Sequence, residues 1–100
     1  MRYRFRLLTG AQADADEAAQ WYAERGDHAS AGFLHELDAA IDSVVEAPLR
    51  FPRHIGRTRY FVFRTYPYSL IYYVRGDEVF IIAVAHQKRR RGYWRSRLRE

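Results

Sequence analysis

Four side chains in this sequence are of types suited to chemistry at a phosphodiester: Arg64, His86, Arg89 and Tyr93. Cleaving an RNA strand through its own 2′-OH takes a base beside that hydroxyl, positive charge for the pentavalent phosphate, and a proton donor for the departing 5′ oxygen. Arg64 or Arg89 can supply the charge, with Arg90 as an alternative, and His86 or Tyr93 the acid or base. The imidazole of His86 has the best unperturbed pKa for that work. A histidine that ends a strand beside a basic segment is also an ordinary polar terminus, so both readings stand. His28, His35 and His54 share no metal-ligand spacing with one another or with a carboxylate pair, and neither a metal site nor a cofactor is expected.

The cations around these residues suggest binding as readily as chemistry. Residues 87–99 carry seven cations and no acid, whereas residues 1–87 hold ten Arg against eleven Asp and Glu, so the whole formal charge of +5 sits in the tail. Lys88, Arg89, Arg90, Arg91, Tyr93, Trp94 and Arg95 form a contact surface for a polyanion or an acidic partner. Sixteen of the seventeen cations are Arg, which forks onto phosphate or carboxylate and stacks on flat rings. Residues 11–47 contain nine acids against Arg25 alone, while residues 48–64 contain five Arg and no acid. One acidic side and one basic side are expected, with no carboxylate base at the basic side. Asp77 and Glu78 are the nearest alternatives and should be remote. That tilts the reading from cleavage toward binding.

The elements that must position these groups follow from periodicity. Residues 2–8 alternate Tyr3, Phe5 and Leu7 with Arg2, Arg4 and Arg6, the period of a half-buried strand. Over residues 11–25, Ala15, Ala18, Ala19 and Tyr22 fall at helical spacing, with Asp14, Asp16 and Glu17 early, where a helix N-terminus favours anions. Gly26 ends that helix, and Asp27 is placed to cap a second whose Phe33, Leu34, Leu37, Ile41, Val44 and Val45 make an apolar stripe as far as Pro48. So short a link predicts an antiparallel helical hairpin.

Residues 48–58 read as a loop, followed by strands over 59–64, 68–74 and 79–85, with a β-hairpin turn at Arg75, Gly76 and Asp77. Alternation sends Tyr68 and Tyr72 to one face and Tyr73 to the other, which predicts structural roles for most of these rings. Trp94 lies beyond the last strand and is expected to staple the tail to the sheet. The order β-α-α-β-β-β predicts an α+β domain over residues 1–100, a helical hairpin packed on a small antiparallel-rich sheet, with a basic C-terminal tail at 87–100.

One hundred residues make a single small domain with a modest core. The absence of cysteine excludes a disulfide framework and a thiolate metal site. No long apolar run or leader pattern is present, so a cytoplasmic, membrane-free location is expected.

Several pieces in order carry a family resemblance: Trp21-Tyr22; Ala31-Gly32-Phe33-Leu34-His35-Glu36-Leu37; Pro48, Phe51 and Pro52; Arg64 with Tyr66-Pro67-Tyr68-Ser69-Leu70-Ile71-Tyr72-Tyr73; and Ala85-His86-Gln87-Lys88-Arg89 with Gly92-Tyr93-Trp94. Together they resemble the RelE/ParE superfamily of type II toxin–antitoxin toxins, nearer its ParE-like branch, over almost the whole chain. One departure is Arg91, where many relatives carry Pro, which would fix φ. The resemblance implies a growth-arresting toxin, of the kind met in plasmid stabilization modules, that forms a hetero-oligomer with a cognate antitoxin. It implies either a DNA gyrase inhibitor or a ribosome-dependent mRNA endoribonuclease, the latter using Arg64, His86, Arg89 and Tyr93. A nontoxic nucleic-acid- or protein-binding module with only the fold is the third reading.

Overall fold

The computed structural model describes residues 2–99; Met1 and Glu100, the ends of the expected domain and tail, lie outside the described residues. Strand β1 (Arg4–Leu7) leads directly into helix α1 (Thr9–Ala23), then α2 (Asp27–Glu46), a 3-10 turn η1 (Pro48–Arg50), strands β2 (Arg59–Val62), β3 (Tyr68–Arg75) and β4 (Glu78–His86), and a second 3-10 segment, η2 (Arg95–Arg99). The expected element order holds, with shifted ends. β1 is shorter than its alternation suggested, because Arg2 turns away to an ion pair with Asp42. The start of α1 at Thr9 puts Asp14 beyond its first turn, which holds no acid. Asp27 is the first helical residue of α2 and makes no capping bond; Gly26 occupies the cap. Its carboxylate acts there only through the helix dipole.

The sheet runs β1-β4-β3-β2, antiparallel except for the parallel β1/β4 pair. Strands joined in parallel need a crossover, and the two helices with β2 and β3 provide it. Arg75 pairs with Glu78, so Gly76 and Asp77 alone turn the β3–β4 hairpin.

Alternation divides the side chains between two cores. The inner face of the sheet carries Tyr68, Leu70, Tyr72, Val79, Ile81 and Val84 against Phe33, Leu37, Ile41 and Val45 of α2 and the alanines of α1. Alanine at Ala11, Ala15 and Ala18 brings α1 close to the sheet without a void. Tyr72 sits fully buried because its hydroxyl donates to the Pro48 carbonyl. The outer face carries Ile71, Tyr73, Ile82 and Ala83, and Trp94 folds back onto them.

A bulge sets which face each end of β4 presents. Ile71 pairs with Ala83 and Tyr72 with Ile81, leaving Ile82 as the extra residue. Ile82 and Ala83 therefore both pack outward, and the alternation beyond them is reset. That reset brings Val84 and His86 to the helix side.

Candidate functional site

β4 outruns its neighbour. The last β1 pair is Leu7 with Ile81, followed by one bond from Leu8 N–H to the Ile81 carbonyl, and α1 then leaves the sheet plane. Beyond that point the β1 side of β4 would expose an unpaired Val84 N–H and an unpaired Ile82 carbonyl. Asp14 and Arg97 occupy those positions. Val84 N–H donates to Asp14 Oδ2 at 3.0 Å, and Arg97 Nη1 donates to the Ile82 carbonyl at 2.9 Å. The two side chains join each other through a fork, Nη1 to Oδ2 at 2.7 Å and Nη2 to Oδ1 at 3.1 Å. A carboxylate and a guanidinium thus replace the missing strand, and they tie the tail to the first helix.

The path to Arg97 needs two small residues. Gly92 has φ 75°, a conformation that turns the tail back toward the sheet and that L side chains rarely adopt. It supplies the turn that a proline at position 91 is not there to set. At Gly10 a Cβ would lie 2.6 Å from Arg97 Nε, so any side chain there would push the guanidinium from its place across the start of α1. Between these points Trp94 is 2 % exposed. Among the expected contact residues it is the most deeply buried, acting as the staple.

Tyr93 lies inside this clasp. Its hydroxyl donates to Asp14 Oδ2 at 3.1 Å, and its ring lies 3.8 Å from the Arg89 guanidinium carbon and 5.2 Å from that of Arg97. Burial, then the charge of Asp14 and its hydrogen bond, push its pKa up to about 12. At neutral pH the phenol stays protonated with its proton committed to Asp14, so it is no base.

Two grooves flank the clasp. One, of about 490 Å³, lies between α1 and the end of β4, with Glu17, Trp21, Tyr22, Tyr68, His86 and Arg89 among its walls. The other, about 260 Å³, lies under the tail on the outer face, with His54, Tyr60, Arg90, Arg91 and Trp94. His86 and Arg89 border both. His86 Nδ1 accepts the Lys88 N–H at 3.0 Å, which leaves Nε2 as the available nitrogen, and the ring meets Tyr68 edge-on at 5.0 Å. Lys88, Arg90, Arg91 and Arg95 are exposed.

Arg64 does not join this group. It is exposed in the β2–β3 connection, lines neither groove, and directs its charge at Glu36 of α2. Burial works against the Glu36 charge, but donation from the Thr65 and Tyr66 N–H groups at 2.6 and 3.0 Å, with Arg64 nearby, holds it below the usual carboxylate range. The structure therefore brings together three of the four expected catalytic residues and leaves the fourth on the helix side.

The expectation of no carboxylate at the basic side is corrected by Asp14, which sits 2.7 Å from Arg97. Asp77 and Glu78 are remote, at the opposite end of β4, where they pair with Arg4 and Arg6. His54 was weighed in the sequence only as a metal ligand. It packs 5.2 Å from the Tyr60 ring and 5.8 Å from that of Trp94, and burial, then the charge of Arg91, lower its pKa. Among the described residues no cluster of three or more potential ligands could hold a metal ion, and no helix is long and apolar enough to cross a membrane.

Comparison with known proteins agrees with this architecture. A chain from the chromosomal ParDE toxin–antitoxin system of P. aeruginosa superposes with a TM-score of 0.75 at 16% identity, over 85% of this chain and 96% of that one. The toxin–antitoxin complex RelBE2 of Mycobacterium tuberculosis contains a chain that matches with a TM-score of 0.60 at 21% identity, over 86% and 99%. A doubly arginine-to-alanine substituted E. coli toxin RelE in its free state gives 0.54 at 19% identity, over 88% and 86%. No curated protein sequence matches. Residues 5–91 match the family described as the ParE toxin of the type II toxin–antitoxin system parDE, and the chain belongs to that family.

Proposed function

We propose that this ParE-type toxin arrests growth in the cytoplasm by binding and inhibiting DNA gyrase, and that a cognate antitoxin neutralises it. The observation that carries the binding reading is the clasp. Tyr93 and Arg97 are tied to Asp14 and Arg64 lies elsewhere, so of the expected catalytic set His86 and Arg89 alone stay available, without a second acid–base partner from that set beside them. What remains available is a display of exposed guanidinium groups at Arg89, Arg90, Arg91 and Arg95. The antitoxin fits the larger groove, with apolar side chains against Trp21 and Tyr68 and acidic ones toward Arg89.

The endoribonuclease reading keeps one observation in its favour, His86 and Arg89 side by side at the border of both grooves. Induced expression in a bacterial host separates the two. Growth arrest with relaxed or cleaved plasmid and intact messages is the expected outcome. Arrest with phased message cuts that vanish in His86→Ala, at unchanged plasmid topology, would refute gyrase as the target.

A further inference from the structure

At the β3–β4 hairpin end, far from the clasp, the outer sheet face carries a second cationic group. Tyr73 and Phe80 stack across the strands with centroids 5.0 Å apart and planes 8° from parallel. Arg57 lies over Tyr73 at 4.1 Å, and Arg6 and Arg75 each lie 5.7 Å from the centre of Phe80. Arg6 shares Glu78 at 3.6 Å, whereas Arg57 and Arg75 have no ion-pair partner among the described residues. Three guanidinium groups held on one ring pair are costly through mutual repulsion, and the one salt bridge among them, from Arg6 to Glu78, leaves Arg57 and Arg75 unrelieved.

We propose that this end of the outer face is a binding site for the phosphodiester backbone of DNA, with Arg57 and Arg75 as the phosphate ligands and Arg6 supporting them. The ring pair gathers the guanidinium groups at one place while all three arginines stay exposed, so their N–H groups can reach a phosphate. The same face continues to Arg90 and Arg91 in the tail groove, a cationic band whose one acid at the hairpin end, Glu78, is taken up by Arg6. The acids of α1 and α2 lie on the other side of the sheet, except for Asp14, which Arg97 neutralises. An acidic protein segment would need an apolar anchor as well as charge. Here Tyr73 is 6% exposed and already covered by Arg57, so the hairpin end of the face offers charge over a closed ring, which suits a backbone and not a peptide.

The inference rests on the gyrase reading, since gyrase works on DNA, yet it can fail separately. The test is fluorescence anisotropy of a labelled duplex of arbitrary sequence with the purified toxin at 50 and 200 mM salt. Arg57→Gln/Arg75→Gln removes two phosphate contacts, which should make the slope of log K against log salt shallower by about 1.8 and remove about a tenfold share of the salt-induced loss. Arg57→Lys/Arg75→Lys keeps the charges and should keep the slope, which guards against a folding artefact in the first variant. An unchanged slope in the Gln variant would overturn the proposal. So would binding of a polyglutamate peptide with none of the duplex. Duplex binding without gyrase inhibition would sustain the site and sink the gyrase reading, while inhibition by a toxin that binds no duplex would do the reverse.

Discussion

Replacing Asp14 with Ala should free the tail. The substitution removes the acceptor for Val84 N–H, for Tyr93 O–H and for both nitrogens of the Arg97 fork. Val84 is 2% exposed, and an orphaned buried N–H costs about 1–3 kcal/mol. Breaking a fully buried ion pair from one side costs about 3–5 kcal/mol. Arg97 keeps its bond to the Ile82 carbonyl and its side chain is 20% exposed, so water reaches it and the charge term falls to a fraction of that range. Together these give roughly 3 kcal/mol, which for a domain of this size is a drop in Tm of about 12–24 °C. Thermal unfolding followed by far-UV circular dichroism at pH 7 reads the shift. Tryptophan emission in a Trp21→Phe background reads the tail itself, because Trp94 is 2% exposed and should shift to the red as it is released. Adding Arg97→Met to Asp14→Ala should cost much less than the sum of the two changes, with a coupling of about 1–3 kcal/mol. Additivity within about 0.5 kcal/mol, or a Tm within a few degrees of the parent, would refute the strand-replacing role of this pair.

Three further outcomes follow from the same geometry. Gly10→Ala should lower Tm even though alanine favours a helix by about 1 kcal/mol, because its methyl group displaces Arg97; a rise in Tm would show that the guanidinium relaxes freely. Glu36 has a depressed folded pKa, so its contribution is complete above the ordinary carboxylate value of 4.5 and is lost as pH falls through the lower folded value; Glu36→Gln should flatten stability against pH in that acid window, and an unchanged profile would count against it. His54 should titrate by NMR below its ordinary 6.5, and Arg91→Ala should recover only the smaller part of the shift, since burial is its larger cause; full recovery would reverse that order.

Local pattern carried the elements, and distance hid the site. Alternation put Tyr68 and Tyr72 on one face and Tyr73 on the other, the structure turns the first pair to the helices, and the bulge at Ile82 left that phase intact because it lies in β4. Trp94 was legible as a staple because a large ring just past a central strand has one apolar surface within reach. Asp14 was not, for its position early in an Ala-rich helix suggested a dipole contact, and its partner lies 83 residues away. Arg64 was misleading for a similar reason: proximity to a strand end says nothing of which face the following turn will take, and Glu36 draws that turn toward α2.

The parallel pairing of β1 with β4 also sets an order of events during synthesis. Arg4 meets Glu78, and every contact of the first strand within the sheet is of comparable separation, so β1 emerges with nothing to pair with until the hairpin is made. Helix α1 can form early, but Asp14 waits for Arg97, among the last described residues to appear. Closing such distant contacts last is slow and leaves apolar surface open meanwhile. The first strand of this toxin therefore stays unpaired until the residues of β4 have been translated, and the sheet cannot be built outward from its N-terminal edge.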